Sequence, residues 1–113
     1  MYTTETKEKL FDDPEEVLKR LGENTAVVCY NDEVAFGLVK CLLSAGRRVP
    51  EDVAVVSFDN SNLSWISQVP ITSLSYEDRN IGRIAAQKLV DILDGRDVSS
   101  EVLPWTFIQK ESS

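Results

Sequence analysis

The sequence predicts an α/β fold built on a parallel sheet. Two short apolar, β-branched runs, residues 25–30 and 53–58, read as strands buried on both faces. Between them, residues 32–45 carry apolar side chains at helical spacing, and Gly46 closes the segment. Strand, helix and strand with short joints make a βαβ unit, which sets the two strands parallel with a right-handed crossover. The 113 residues suffice for one domain, and 42% hydrophobic with 27% charged content is ordinary for a globular chain.

The elements follow in order. Residues 1–13 are polar and weakly patterned and read as a loose arm. Asp13-Pro14-Glu15-Glu16 is a helix start, with Asp13 as cap, Pro14 at the first helical position and Glu16 completing a capping box. Val17, Leu18 and Leu21 give that helix one apolar face, and Gly22 stops it. In the helix at 32–45, Val34, Leu38, Cys41 and Leu42 share a face that Ala35, Val39 and Leu43 broaden. Residues 59–70 form a polar loop with a short helix around Trp65, and residues 71–74 read as a third strand. Ser75 and Asp78 form an S-x-x-D start for a helix striped by Ile81, Ala85, Leu89 and Leu93, with Ile84 and Ile92 beside them, ending at Gly95. Residues 102–108 read as a final strand in which Trp105 and Phe107 cover the core.

Charge and composition exclude several functions. A net charge of −7 repels phosphate backbones and anionic membranes, so this chain alone is not expected to grip nucleic acid or lipid. The absence of histidine removes the usual general base and the usual zinc ligand. Cys29 and Cys41 belong to no CxxC pair and read as small core residues. No nucleophile–base pair or metal cluster is visible, so neither catalytic group, metal nor cofactor is expected. No apolar run approaches a membrane span and residues 1–22 are too charged for a signal peptide, which makes the cytoplasm the default location.

The informative stretch is VVCYNDEVAFG, residues 27–37, where Asn31, Asp32 and Glu33 stand at the handover from strand to helix. The second strand likewise ends in Asp59-Asn60. In open parallel sheets, ligands bind beyond the carboxyl ends of the strands, so both polar clusters project from one edge. An amide and a carboxylate suit a ligand rich in hydroxyls, such as a sugar, better than a phosphate, which calls for arginines or a glycine-rich loop. The structural reading stands level with this one. Asn31 or Asp32 can cap the helix, Glu33 suits the helix dipole, and Asp59 can be a turn residue bonded to its own backbone. A third reading, a phospho-receiver domain with Asp59 as phosphoacceptor, needs a lysine after a later strand, where Ser73-Leu74-Ser75 stands instead.

Residues 26–61, AVVCYNDEVAFGLVKCLLSAGRRVPEDVAVVSFDNS, carry a family resemblance. The stretch resembles the effector domain of LacI-type transcriptional regulators, with Asn31-Asp32, Ala35, Gly37, Gly46, Val49-Pro50, Asp52-Val53, Val55-Val56 and Phe58-Asp59 in register. VPITSL, GRIAAQKLVDILDG and LPWTFIQKES continue the match, which covers about four fifths of the chain. Ser57 stands where the family commonly has Gly, and Asn60 where it has a second Asp. The Cys-Tyr-Asn-Asp version is similar to arabinose-responsive repressors that fuse a GntR-type winged helix to a LacI-type effector domain.

The resemblance implies a three-layer sandwich of the periplasmic-binding-protein type I-like class, here a partial domain. Residues 14–113 are then expected to be the C-terminal portion of the effector domain, without the DNA-binding domain or first subdomain. It implies a sugar effector, L-arabinose among the candidates, held between two subdomains, with Asn31 and Asp59 on its hydroxyls and Tyr76 as a contact or hinge. It further implies DNA binding through the absent N-terminal domain and a homodimer, with residues 32–45 near the partner. Trp65 is expected to pack in its loop rather than stack on sugar. A periplasmic-type sugar-binding protein would share this fold and pocket chemistry and is the alternative.

Overall fold

The computed structural model describes residues 13–23, 26–76 and 80–113. The expectations for residues 1–12, Thr25 and Asp78 lie outside them. Helix α1 spans Pro14–Leu21, β1 Ala26–Val28, α2 Asp32–Ser44, β2 Ala54–Phe58, α3 Asn62–Ile66, β3 Thr72–Ser75, α4 Ile81–Leu93 and β4 Thr106–Ile108. The sheet order is β1-β2-β3-β4. β1 pairs parallel with β2, and β2 with β3, but β4 runs antiparallel to β3. The sheet is therefore mostly parallel, as expected, with one reversed edge strand. β4 is also shorter than the expected 102–108, because Pro104 supplies no ladder N–H.

The core lies between the sheet and α1 and α2. Val17 and Leu21 of α1, Val34, Ala35, Leu38, Val39 and Leu42 of α2, and Val55 of β2 are buried together with Val49, Val53 and Ile71. Along β2, Val55 and Ser57 are buried while Ala54, Val56 and Phe58 are half-buried, the period of two that separates a covered face from an open one. Cys29 is buried in this core, as its apolar neighbours suggested, and burial pushes its thiol up to about 12. Cys41 is half-buried at the rim of a groove between α1 and α2.

Asp13 caps α1 as expected, its Oδ1 accepting from the Glu16 N–H at 3.1 Å. The Glu16 carboxylate turns to Arg20 at 2.7 Å. Ser75 does not open the next helix but closes β3; Asn80 caps α4 instead, accepting from the Arg83 N–H at 2.9 Å. The stripe on α4 is present but covers nothing here. No residue of α4 is buried, and Ile81, Leu89, Val90, Ile92 and Leu93 are exposed. Trp105 and Phe107 likewise do not cover the core: they are 44% and 55% exposed, on the sheet face opposite α2. Binary pattern identifies an apolar face but not whether the chain supplies the surface that buries it.

Candidate functional site

β1 and β2 are adjacent and parallel, so Asn31 and Asp59 emerge at the same sheet edge. Their roles divide differently from the sequence reading. Asn31 is the N-cap of α2: its Oδ1 accepts from the Val34 N–H at 3.0 Å. Asp32 caps nothing. Its side chain is 1% exposed and accepts from Ser57 Oγ, Ser73 Oγ (3.0 Å) and the Ser61 N–H. One carboxylate thus joins the first turn of α2 to β2, β3 and the loop after β2. Ser57 and Ser73 occupy opposed positions on β2 and β3, which aims both hydroxyls at the same point.

Asp59 is exposed at the head of that loop, with its N–H donating to the Leu74 carbonyl at 2.9 Å. Asp59 and Asn60 both hold positive φ, 97° and 52°. That conformation disfavours residues with a Cβ and costs of order 1–3 kcal/mol, so the surroundings must enforce it. They do so at three points: the Asn60 N–H donates to Ser73 Oγ at 3.0 Å, the Ser61 N–H donates to Asp32, and the Asn60 side chain accepts from Lys110 Nζ at 2.8 Å. Partial desolvation, with the charge of Asp32 adding to it, pushes the Asp59 carboxyl up from the usual range.

Tyr76 follows β3 directly and stacks on Trp105, ring centroids 3.8 Å apart with planes 31° from parallel. Trp105 meets Phe58 edge to face at 5.3 Å. The three rings join the strand end that precedes Asp59 to both chain segments that flank α4. Trp65 packs into no loop: it lies in α3, 55% exposed, with Lys110 Nζ 4.3 Å from its ring centroid. Burial pulls the Lys110 ammonium below its usual value, while the charge of Asp32 acts against the drop.

Open grooves lie elsewhere among the described residues. One runs between α1 and α2, lined by Leu18, Phe36, Lys40 and Cys41 among others, and another is bordered by Phe36, Val39, Lys40 and Ile66–Gln68. Neither includes Asn31, Asp59 or Tyr76. Sequence reasoning missed Asp32 as a buried hub, along with Ser57, Ser73 and Lys110. A serine between Val56 and Phe58 in a buried strand was the available signal, because a hydroxyl there requires a partner.

A sheet of this order, carrying paired polar handovers at the carboxyl ends of parallel strands, agrees with the family comparison. The model of the periplasmic binding protein-like domain matches residues 2–113. The chain belongs to the periplasmic binding protein-like domain family. It is 34% identical over 100 residues to the arabinose metabolism transcriptional repressor of Geobacillus stearothermophilus, covering 86% of this chain and 28% of that protein. It is 31% identical over 88 residues to the HTH-type transcriptional repressor PurR of Vibrio atlanticus, covering 78% of this chain and 26% of the relative. The chain thus spans little more than a quarter of these relatives.

Among solved structures, a LacI family transcriptional regulator from Bifidobacterium animalis subsp. lactis superposes with a TM-score of 0.84 at 31% identity, over all of this chain and 42% of that one. A complex of the transcriptional regulator CelR with cellobiose gives 0.81 at 31% identity, covering 95% of this chain and 33% of that one. Within the periplasmic binding protein-like family, the likeness is therefore to the effector domains of LacI-type regulators. No helix among the described residues is long and apolar enough to cross a membrane.

Proposed function

We propose that this chain is the C-terminal portion, residues 14–113, of the effector domain of a sugar-responsive transcriptional regulator. Asn31 and Asp59 hydrogen-bond sugar hydroxyls at the shared sheet edge, and Tyr76 borders the same edge where the chain leaves for α4. The observation that supports the reading is that the adjacent parallel strands β1 and β2 hand over to Asn31 and Asp59 at one sheet edge, in a fold whose relative CelR is seen with cellobiose. Asn31 has a double role, since an amide that caps with its oxygen retains two N–H donors for a ligand.

In the intact regulator, a sugar held between two subdomains favours one of their arrangements, and that shift alters how a homodimer presents separate DNA-binding domains to DNA. The open groove bordered by Phe36 and Ile66 suits the face of α2 for the dimer contact. Such a protein works in the cytoplasm. L-arabinose is the first effector to test, because the 34% identical relative is an arabinose metabolism repressor, and a GntR-type head fits the same likeness. The relatives named are regulators, which favours this reading over a periplasmic-type binding protein.

Chemical-shift mapping tests the proposal. Titrating the chain with L-arabinose, cellobiose and lactose should move the amide resonances of Asn31, Asp59 and Tyr76 for one of them. Shifts confined to the grooves along α1 and α2, or no shift at saturating sugar, would refute it.

A further inference from the structure

We propose that Lys110 is a positioning residue, a clamp that sets the Asp59–Asn60 turn and ties it to the chain returning from α4. The inference rests on the sugar-site reading for the purpose of that turn, but the clamp is argued and tested independently of any sugar.

The ammonium of Lys110 donates to three acceptors: Asn60 Oδ1 at 2.8 Å, Ser64 Oγ at 2.9 Å and the Ile71 carbonyl at 2.8 Å. An ammonium has three protons, so its donor capacity is filled. Its fourth neighbour is the Trp65 ring at 4.3 Å, close enough for a cation–π attraction. These partners come from the turn after β2, from α3 and from the residue before β3. A surface lysine has no reason to collect them, and a half-buried ammonium needs this degree of satisfaction to remain charged.

Lys110 stands two residues beyond β4, the strand that carries the chain back from α4. The same tail is fastened to the sheet. Ser112 is buried; its carbonyl accepts from the Val55 N–H at 2.8 Å, and its hydroxyl accepts from the Thr72 N–H at 2.8 Å. The Lys110 N–H donates to Thr72 Oγ1 at 2.9 Å. The lysine therefore projects from a fixed base onto a turn that is strained by its positive φ angles. The loop so held begins at Asp59 and runs to Ile66–Gln68, which border the groove beside α2. A movement of the returning chain reaches both ends of this loop through one side chain.

Amide hydrogen exchange on the 113-residue chain tests the clamp. Lys110→Met keeps the apolar stem and removes the donors. It should speed exchange of the Asn60 and Ser61 N–H groups about tenfold or more, the scale expected for losing bonds to a charged group, while leaving the α2 amides unchanged. Lys110→Arg keeps the cation and should retain most of the protection. Unchanged exchange at Asn60 and Ser61 in a folded Lys110→Met chain would overturn the proposal, as would equal loss in both variants.

Should Lys110→Met fail to fold, the unmodified chain supplies the readout. A nitrogen-resolved spectrum of the lysine side chains should show one slowly exchanging ammonium with nuclear Overhauser contacts to the Trp65 ring. An ammonium averaged by solvent would sink the clamp and leave the sugar reading standing. A protected ammonium in a chain that binds none of the sugars would sink the sugar reading alone.

Discussion

The Ser57 hydroxyl donates to the buried carboxylate of Asp32, tying the last residues of β2 to the first turn of α2. Ser73 donates to the same oxygen from β3, and the Ser61 N–H to the other one. Asp32 is therefore the common acceptor of three elements. Asp32→Ala would strand two hydroxyls and a backbone N–H at a site with almost no exposure, and should cost about 3 kcal/mol or more. Ser57→Ala removes one donor and should cost about 1 kcal/mol. Urea unfolding measures both. Additive losses in the double variant would argue against a shared network, since groups in one network couple.

The double role of Asn31 separates by substitution. Asn31→Asp retains a carboxylate oxygen to accept from the Val34 N–H and should keep stability within a few tenths of a kcal/mol. It removes both amide donors, so sugar affinity should drop. Asn31→Ala loses the cap as well and should cost about 1 kcal/mol of stability. Thermal unfolding beside sugar titration reads the two effects. Unaltered sugar binding in Asn31→Asp would reduce Asn31 to a cap.

These contrasts show what was legible in the sequence. The βαβ core was readable because β-branched runs and a helical stripe around Leu38 and Leu42 are local patterns that one chain segment satisfies by itself. The edge shared by Asn31 and Asp59 followed from parallel pairing alone. The exchange of roles between Asn31 and Asp32 was not readable, because adjacent residues at a helix start are both competent caps and only tertiary contact decides which one turns inward. Lys110 and Trp65 are 45 positions apart, and nothing local pairs them. Trp105 departs from expectation for the opposite reason: an aromatic residue in an expected strand points to core, yet it stacks on Tyr76 at an open face.

Asp59 gives a pH dependence. Partial desolvation first, and the charge of Asp32 second, raise its folded pKa above the ordinary 3.8. Between the unfolded value and the raised one, the native chain binds the proton more tightly, so the contribution of Asp59 to stability falls as pH rises through that window. Sugar binding runs the other way, because the ionised carboxylate is the better acceptor. Affinity should decline as pH is lowered, with a midpoint above that of an ordinary aspartate. Asp32 is the charged group whose field bears on this midpoint. Asp59→Asn should flatten the profile. A profile with the same midpoint in Asp59→Asn would assign the titration to another group.

The open face of α4 has consequences for the isolated chain. Leu89, Val90, Ile92 and Leu93 stand between 49% and 76% exposed, and Val102 beyond the helix is 93% exposed. Contiguous apolar surface of this kind drives association. Sedimentation velocity should show concentration-dependent self-association through it. Leu93→Glu combined with Val102→Glu places charges where neither side chain is buried, so the pair should favour the monomer with stability changed by no more than about 0.5 kcal/mol. A chain that sediments as a monomer at high concentration, or that associates equally well with both glutamates in place, would show that this face is not the one that drives contact.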